Sequence, residues 1–237
     1  MNRIYITIII LITNLTVSSA YAQLNQRIQN QPYADQKMYH LGFFVGLHTQ
    51  DMTLTNTGFT GSNGETWFAD IPSYRPGFSV GIIGDRYFNE YFNIRALPTL
   101  HFGEKEFVFR EQATGEEYRT SLRSNYLSLP IHLKFSGGRI NNFRPYLLAG
   151  GYTSMSIGKD RDEALRFKKM DFGLEFGIGC NFYLPLFKLC PELKFSFGLV
   201  DLIDKDRSDL TDLDMLRYRD AVSSGKTRMI SLVFNFE

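Results

Sequence analysis

The chain of 237 residues has two cysteines, one tryptophan and no long hydrophobic run. Its apolar segment at residues 4–12 is much shorter than the roughly 20 residues that a membrane-spanning helix needs. The formal net charge of +1 is nearly balanced, whereas a nucleic-acid-binding surface carries a basic excess. These absences argue against a helical membrane anchor and against nucleic acid as a partner.

The N-terminus carries the three parts of a secretory signal peptide. Arg3 supplies the basic start, the apolar segment follows, and residues 20–22 (Ala-Tyr-Ala) give the cleavage site before Gln23. We therefore predict cleavage between Ala22 and Gln23, and export of the remaining chain. Because the first cysteine is Cys180, we expect no lipid on a mature N-terminal cysteine.

Cys180 and Cys190 flank a short predicted turn in this exported chain. A disulfide needs a closely defined separation and direction of the two side chains, which positions on either side of a turn do not guarantee. The sequence leaves the pairing open and favours free thiols.

Apolar residues alternate with polar or small ones along much of the chain, which predicts strands with one apolar face. Within residues 171–182, every even-numbered position is Phe, Leu, Ile or Cys, and every odd-numbered position is Asp, Gly, Glu or Asn. The high content of Phe and Tyr also favours strands. We predict eight strands, at residues 41–47, 78–82, 92–102, 127–135, 146–152, 171–182, 193–199 and 230–236.

The connections between these strands alternate in length. Long polar connections are predicted at 53–74, 104–125, around 159–163, and at 201–226, and short ones at 88–91, 137–142 and 185–188. Outer-membrane barrels have short periplasmic turns and long extracellular loops. We therefore predict an all-β fold, an eight-stranded antiparallel up-and-down transmembrane β-barrel of a Gram-negative outer membrane, with both termini in the periplasm.

The predicted organisation is a signal peptide (1–22), a periplasmic N-terminal tail (23–38) and an outer-membrane barrel domain (39–237). The apolar faces would contact outer-membrane lipid. The opposite assignment, with apolar faces packed inward in a soluble barrel or sandwich, also fits the alternation. The membrane assignment is favoured because the chain ends on an aromatic strand, Phe234 to Phe236. Such an ending resembles the assembly signal of outer-membrane barrels.

Charged residues on the non-apolar faces would point into the lumen. Side chains fill the interior of an eight-stranded barrel, and an unpaired charge there is costly. We therefore predict a lumenal network of salt bridges in place of an open pore. Its members are Arg95, Lys134, Glu175, Glu192 and Lys194.

No pattern in the sequence indicates a catalytic, metal or cofactor site. The four histidines are His40, His48, His101 and His132. They lack the spacing of metal ligands, and the chain has no Gly-x-Ser-x-Gly motif. Ser128 and His132 share a predicted strand face but lie roughly 13 Å apart along it, at about 3.3 Å per residue. We expect no enzyme activity, no cofactor and no small-molecule substrate.

The long connections are rich in charges of both signs, and loops on a rigid scaffold often carry binding. Residues 159–169 and 201–219 are examples. Within the second, apolar residues are interspersed among the charges, which suggests a short amphipathic helix at 209–219 that contacts a partner; they are Leu210, Leu213, Met215 and Leu216.

Several strand motifs resemble the PorT family of Bacteroidetes outer-membrane barrels. They are NYLSLPIHLKF (125–135), RPYLLAGG (144–151), GLEFGIGCNF (173–182), PELKFSFGL (191–199) and SLVFNF (231–236). The resemblance spans nearly the whole mature chain. It implies a role in the type IX secretion system, which exports proteins with C-terminal sorting domains and in some species supports gliding motility. It carries over no functional residues.

Three functions are therefore considered. The first is a component of the type IX system that acts through contacts with other secretion proteins. The second is a stand-alone structural or adhesin-like outer-membrane barrel. The third is a barrel enzyme or small-ligand carrier, for which the sequence offers the least support.

Overall fold

A computed structural model describes residues 29–58, 66–70, 76–111, 115, 117–157, 167–203 and 222–237. The chain divides into two units, Met1–Asn30 and Gln31–Glu237, and the second contains every strand described below. Three sequence predictions lie outside the described residues. These are the signal peptide (1–22) with its cleavage site at Ala22 and Gln23, the loop around 159–163, and the helix at 209–219.

The second unit is built from strands. They are β1 (Tyr39–Asn56), β2 (Trp67–Asp70), β3 (Pro76–Tyr87), β4 (Phe92–Ala96), β5 (Thr99–Phe102), β6 (Glu104–Glu111), β7 (Glu117–Arg123), β8 (Tyr126–Ser136), β9 (Phe143–Ser156), β10 (Met170–Tyr183), β11 (Lys188–Gly198) and β12 (Val222–Phe236). A short 3-10 helix, Ala34–Gln36, precedes β1. In the described part of the chain, no helix is long and apolar enough to cross a membrane.

Eight strand positions form a closed antiparallel ring. Its order is β1, β12, β11, β10, β9, β8, then β4 with β5, then β3. The ring closes because β1 pairs with β12 on one side and with β3 on the other. Neighbours in the chain are neighbours in the ring, so the predicted eight-stranded antiparallel up-and-down barrel is confirmed.

The two faces of the barrel wall differ sharply in polarity. Along β8, Ser128, His132 and Lys134 are buried while Leu129 and Ile131 are 41% and 52% exposed. Strands β10, β11 and β12 repeat this alternation, with mostly polar or small residues inward and Phe, Leu and Ile outward. The alternative with an inward apolar face is therefore wrong for this chain.

The third ring position consists of two strands, β4 and β5, in place of the single predicted strand at 92–102. Pro98 has no N–H to contribute to the ladder, so the pairing lapses there. The backbone remains tied to its neighbours, since Leu97 N donates to Pro130 O at 3.0 Å and Ile82 N donates to Pro98 O at 3.2 Å. Arg95, Thr99 and His101 keep the same inward face across the interruption.

Short connections lie at one end of the barrel, called here the turn end, at 88–91, 137–142 and 184–187. The opposite, loop end differs from the sequence prediction, which treated 53–74, 104–125 and 201–226 as loops. β1 extends to Asn56 and β12 begins at Val222. In addition, β6 and β7 form a hairpin that joins β2 in a separate three-stranded sheet. At the loop end, the backbone hydrogen bonds between these strands continue past the most apolar segments, because the alternation of side-chain directions also continues there.

Both cysteines are free thiols. Cys190 is fully buried in the lumen, whereas Cys180 is partly exposed.

Candidate functional site: the lumen and the two ends of the barrel

Arg95 is the centre of a cluster of ion pairs in the turn half of the lumen. Its side chain is fully buried. Its Nε donates to Asp85 Oδ2 at 3.1 Å, its Nη1 to Glu192 Oε1 at 2.5 Å, and its Nη2 to Glu237 Oε1 at 2.6 Å. Lys188 Nζ lies 2.6 Å from the other oxygen of Glu237. One guanidinium thus joins strands β3, β4 and β11 to the C-terminal residue.

A second cluster lies nearer the middle of the barrel, around Glu175. Lys194 Nζ and His132 Nε2 are each 3.0 Å from Glu175 Oε1. Ser196 Oγ donates to Glu175 Oε2 at 2.7 Å. These four side chains come from β8, β10 and β11, and they link β8 to the β10–β11 pair across the interior.

Lys134, the fifth predicted network residue, contacts different groups. Its Nζ donates to Asn181 Oδ1 at 3.2 Å and lies 4.0 Å from the centre of the Tyr146 ring. Tyr146 in turn donates its hydroxyl to Glu192 at 2.5 Å. Gly179 makes room for this ring, because a Cβ there would meet the tyrosine at 2.5 Å. The five predicted residues therefore form two direct ion pairs, Arg95 with Glu192 and Lys194 with Glu175, while Lys134 joins through Asn181 and Tyr146.

In the loop half, neutral side chains form a hydrogen-bonded chain between strands. His48 Nδ1 lies 2.6 Å from Ser79 Oγ, and Ser79 Oγ lies 2.8 Å from His101 Nδ1. The chain continues from His101 Nε2 to Ser128 Oγ at 2.9 Å. It starts at Gln50, whose amide nitrogen is 3.0 Å from His48 Nε2. Each imidazole therefore uses both ring nitrogens.

The hydrogen-bonded chain borders an interior cavity of about 50 Å³ at the loop end. Its walls include His101, Ser128, Tyr152, Asp171 and Glu175. Asp171 accepts hydrogen bonds from Thr227 at 2.5 Å and from Tyr152 at 3.3 Å. A space of this size, with polar groups of Ser128 and Asp171 in its walls, is suited to a few water molecules. Toward the turn end the interior is occupied by the two charged clusters.

The hairpin of β6 and β7 carries exposed charges at the loop end. Arg110 and Arg119 donate to the two oxygens of Glu117 at 2.8 Å and 2.9 Å. The hydrogen bonds from Arg119 and Arg110 lower the pKa of the Glu117 carboxyl below its usual value.

At the turn end, residues 31–38 fold back over the barrel; we call them the strap. Gln31 Nε2 donates to Leu184 O at 2.8 Å, and Arg139 Nη1 donates to Gln31 O at 3.0 Å. His40 Nε2 lies 2.6 Å from Ala34 O. Tyr183 Oη donates to Asp35 Oδ1 at 2.6 Å. These contacts lie within the segment that the sequence analysis treats as the end of a periplasmic tail.

Sequence reasoning did not identify several residues of the lumen. Asp85 and Glu237 lie just beyond predicted strand segments, although both continue the inward alternation. Tyr146 lies on the inward face of β9 as part of an otherwise apolar stretch. Ser128 and His132, which the sequence keeps apart along one strand, indeed have different partners, His101 and Glu175 respectively.

Comparisons with known proteins agree with this architecture at the level of the family. The family model described as "Outer membrane protein beta-barrel domain" matches residues 21–204. No curated protein gives a significant match.

The structure comparison matches the chain to several solved outer-membrane proteins. The outer membrane protein OprG from Pseudomonas aeruginosa is 13% identical over 85% of this chain and 96% of its own, with a TM-score of 0.45. Neisserial surface protein A is 11% identical over 84% and 98%, with a TM-score of 0.39. Ail of Yersinia pestis, solved with the heparin analogue sucrose octasulfate, is 15% identical over 84% and 99%, with a TM-score of 0.34.

Proposed function

We propose that this chain, which belongs to the outer membrane protein β-barrel family, is a component of the type IX protein secretion system and acts through protein contacts. The family gives an outer-membrane location. The secretion role is supported by the strand motifs at 125–135 and 144–151, which resemble the PorT family. The cargo of that system would be proteins with C-terminal sorting domains.

The observation that carries a contact role is the filled lumen. Arg95 and Glu175 each pair with charged side chains of other strands in the interior. An eight-stranded barrel has an interior just wide enough to be filled by side chains. A polypeptide therefore has no path through this barrel, and its surfaces are left as the means of action. The available surfaces are the loop end, the turn end and the lipid-facing wall.

The test is export in a strain that lacks the gene. We expect proteins with C-terminal sorting domains to accumulate in the periplasm and to disappear from the cell surface and medium. A complemented strain is the control for effects on neighbouring genes. Normal export in the deletion strain would contradict the secretion role and leave an outer-membrane barrel of another function.

The proposed orientation has the turn end and both termini in the periplasm and the loop end outside the cell. It is supported by the general association of short turns with the periplasmic side. An epitope inserted at Gly115, in the turn between β6 and β7, should bind antibody on intact cells. The same epitope inserted at Gly138 should bind only after the outer membrane is permeabilised. The reverse pattern would contradict this orientation.

A second candidate function is an adhesin-like barrel, which the extra sheet of β2, β6 and β7 favours. This sheet adds a folded surface at the loop end. Shortening the hairpin from 104–123 to a four-residue turn should then reduce cell attachment without changing export. Loss of export with unchanged attachment would instead favour the secretion role.

We also propose that the protein is not an enzyme. Ser128 and His101 are within hydrogen-bonding distance, but the base is oriented by Ser79 and the pair lies in a cavity of only about 50 Å³. A cavity of that size accommodates water in preference to an acyl substrate. Labelling of Ser128 by a fluorophosphonate probe, lost on Ser128→Ala, would contradict this proposal.

A further inference from the structure

The turn end contains a carboxylate-binding site that the chain itself occupies. The carboxylate of Asp35, in the strap, is met by three side chains that we call the Asp35 cup: Arg139, Arg144 and Tyr183. Tyr183 Oη donates to Asp35 Oδ1 at 2.6 Å. Arg144 Nη1 lies 3.2 Å from Oδ2, and Arg139 Nη1 lies 3.9 Å from the same oxygen.

The cup is held in shape by contacts that do not involve Asp35. Arg144 Nε donates to Gly137 O at 2.8 Å, and its Nη2 donates to Glu90 O. Arg139 Nε donates to Asn141 O at 2.8 Å, and its guanidinium lies 3.6 Å from the centre of the Tyr183 ring. Guanidinium groups fixed in this way are suited to carboxylates, because their planar N–H groups match the two oxygens. The cup would therefore keep its form if Asp35 left.

The strap that brings Asp35 to the cup buries little of its own surface. Of residues 31–38, all of which the structure describes, Ala34 alone is buried. Its neighbour Tyr33 is 73% exposed. Besides Asp35, its contacts with the barrel include the bonds of Gln31, the contact of His40 with Ala34 O, and the bond from Tyr87 N to Met38 O at 3.0 Å. Displacing the strap thus exposes little apolar surface of the strap itself to water.

A groove of about 510 Å³ adjoins the cup. Tyr87, Tyr91, Gly137 and Gly138 line it together with both arginines, Glu90 and part of the strap. While Asp35 is bound, Asp35 and Glu90 balance the two arginines. When Asp35 leaves, the lining gains one net positive charge, and the groove has room for several residues beside the cup.

The geometry points to the Asp35 cup and its groove as a docking site for an acidic peptide segment of a partner protein, with Asp35 as the internal competitor. This inference rests on the proposed function only for the partner being a secretion protein. The recognition itself depends on a carboxylate that enters the cup and on neighbouring residues that lie against Tyr87 and Tyr91. Binding of a partner and release of the strap are then the same event.

The test uses the purified full-length barrel in detergent and a fluorescent peptide with the sequence of residues 31–38. A second peptide carries Asn at the position of Asp35. We expect the Asp35→Asn protein to bind the first peptide about tenfold more tightly than the wild-type protein does, since its own strap no longer competes. It should also bind the first peptide about tenfold more tightly than the second, as expected for loss of a charge-assisted hydrogen bond.

Two double variants test whether the peptide binds at the cup. Adding Arg144→Gln to Asp35→Asn should remove the preference for the carboxylate peptide. Adding Arg86→Gln should leave it unchanged, because Arg86 is an exposed arginine at the same end of the barrel that lies 5.8 Å from the Tyr39 ring. Heat-modifiable migration on gels confirms that each variant is folded.

A glutamate-rich peptide of unrelated sequence then distinguishes a site that binds acidic segments of other proteins from one that binds the strap alone. We expect it to displace the labelled peptide from the Asp35→Asn protein. If it does not, or if the two labelled peptides bind equally, the docking site is wrong. Because binding is measured on purified protein, a negative result would count against the cup whatever the export assay gives. If export is normal and peptide binding is intact, the cup is still a docking site, but its partner is not a secretion protein.

Discussion

The turn half and the loop half of the lumen fill the same narrow space with different chemistry. In the turn half, Arg95 holds three carboxylates and Lys188 reinforces one of them. In the loop half, His48, Ser79 and His101 form neutral hydrogen bonds beside a small cavity. Buried charges in ion pairs fix the positions of the strands that carry them, whereas the neutral chain leaves a cavity beside it. The difference indicates that the barrel is closed and held in register mainly from its turn end.

The largest effect should follow from removing the charge at the centre of the turn half. Arg95→Met would leave Asp85, Glu192 and Glu237 without their shared partner. Losing one partner of a buried ion pair costs roughly 3–5 kcal/mol. We therefore expect the free energy of unfolding, measured by urea titration in lipid vesicles, to fall by about that amount. Arg110→Gln, at an arginine whose side chain is 63% exposed, is the control and should have little effect. Equal effects of the two substitutions would contradict the comparison.

The cluster at the middle of the barrel should be less sensitive. Glu175→Gln keeps the size of the side chain and removes its charge, so Lys194 would face an amide. Leaving a buried group poorly paired costs roughly 1–3 kcal/mol. The same urea titration should place this variant between wild type and Arg95→Met. If Glu175→Gln lowers the free energy of unfolding more than Arg95→Met does, the turn half is not the part of the lumen that contributes most to stability.

The neutral chain of the loop half should be less important still. Ser79→Ala removes the hydroxyl that joins His48 to His101, and a neutral hydrogen bond contributes about 1 kcal/mol. We expect a small loss of stability and an unchanged gel shift of the folded form. If the variant failed to fold, the neutral chain of the loop half would also be needed for the strands to close into a barrel.

The smallest effect is expected outside the barrel, at Glu117 in the hairpin. Arg119 and Arg110 lower the pKa of this carboxyl, so any stability it adds is present above its unfolded-state pKa and is lost as the pH falls through its folded-state pKa. Because the group is fully exposed, solvent screens the pairs. Wild type and Glu117→Gln should therefore show the same stability across the acid range. A pH-dependent difference would give the hairpin a larger structural role.

The strand pattern could be predicted from the sequence because one face of each strand contacts lipid and the other fills the lumen. The positions of Lys134, Glu175, Glu192 and Lys194 on the inward face follow from period 2 alone. The partners within the lumen do not, because they depend on the register between strands that are distant in the chain. Asp85 and Glu237 lie at strand ends, where the apolar alternation fades.

The two ends of the barrel were harder to predict for different reasons. In the hairpin, charges surround the alternating residues of β6, and the segment reads as a polar loop. The strap has no periodic pattern, since it is held by Asp35 and by backbone contacts. Such contacts depend on the turn at 137–142 and on the end of β10, which no local pattern connects to residues 31–38.

A lumen that is closed by its own side chains should not conduct ions, and conductance tests this closure most directly. Purified wild-type barrel, inserted into a planar lipid bilayer with its folded state verified by gel shift, should produce no discrete conductance steps. Arg95→Met, examined in the same way, shows whether the turn-half cluster is what closes the lumen. Stable steps from the wild-type protein would contradict a closed interior and reopen transport through the barrel.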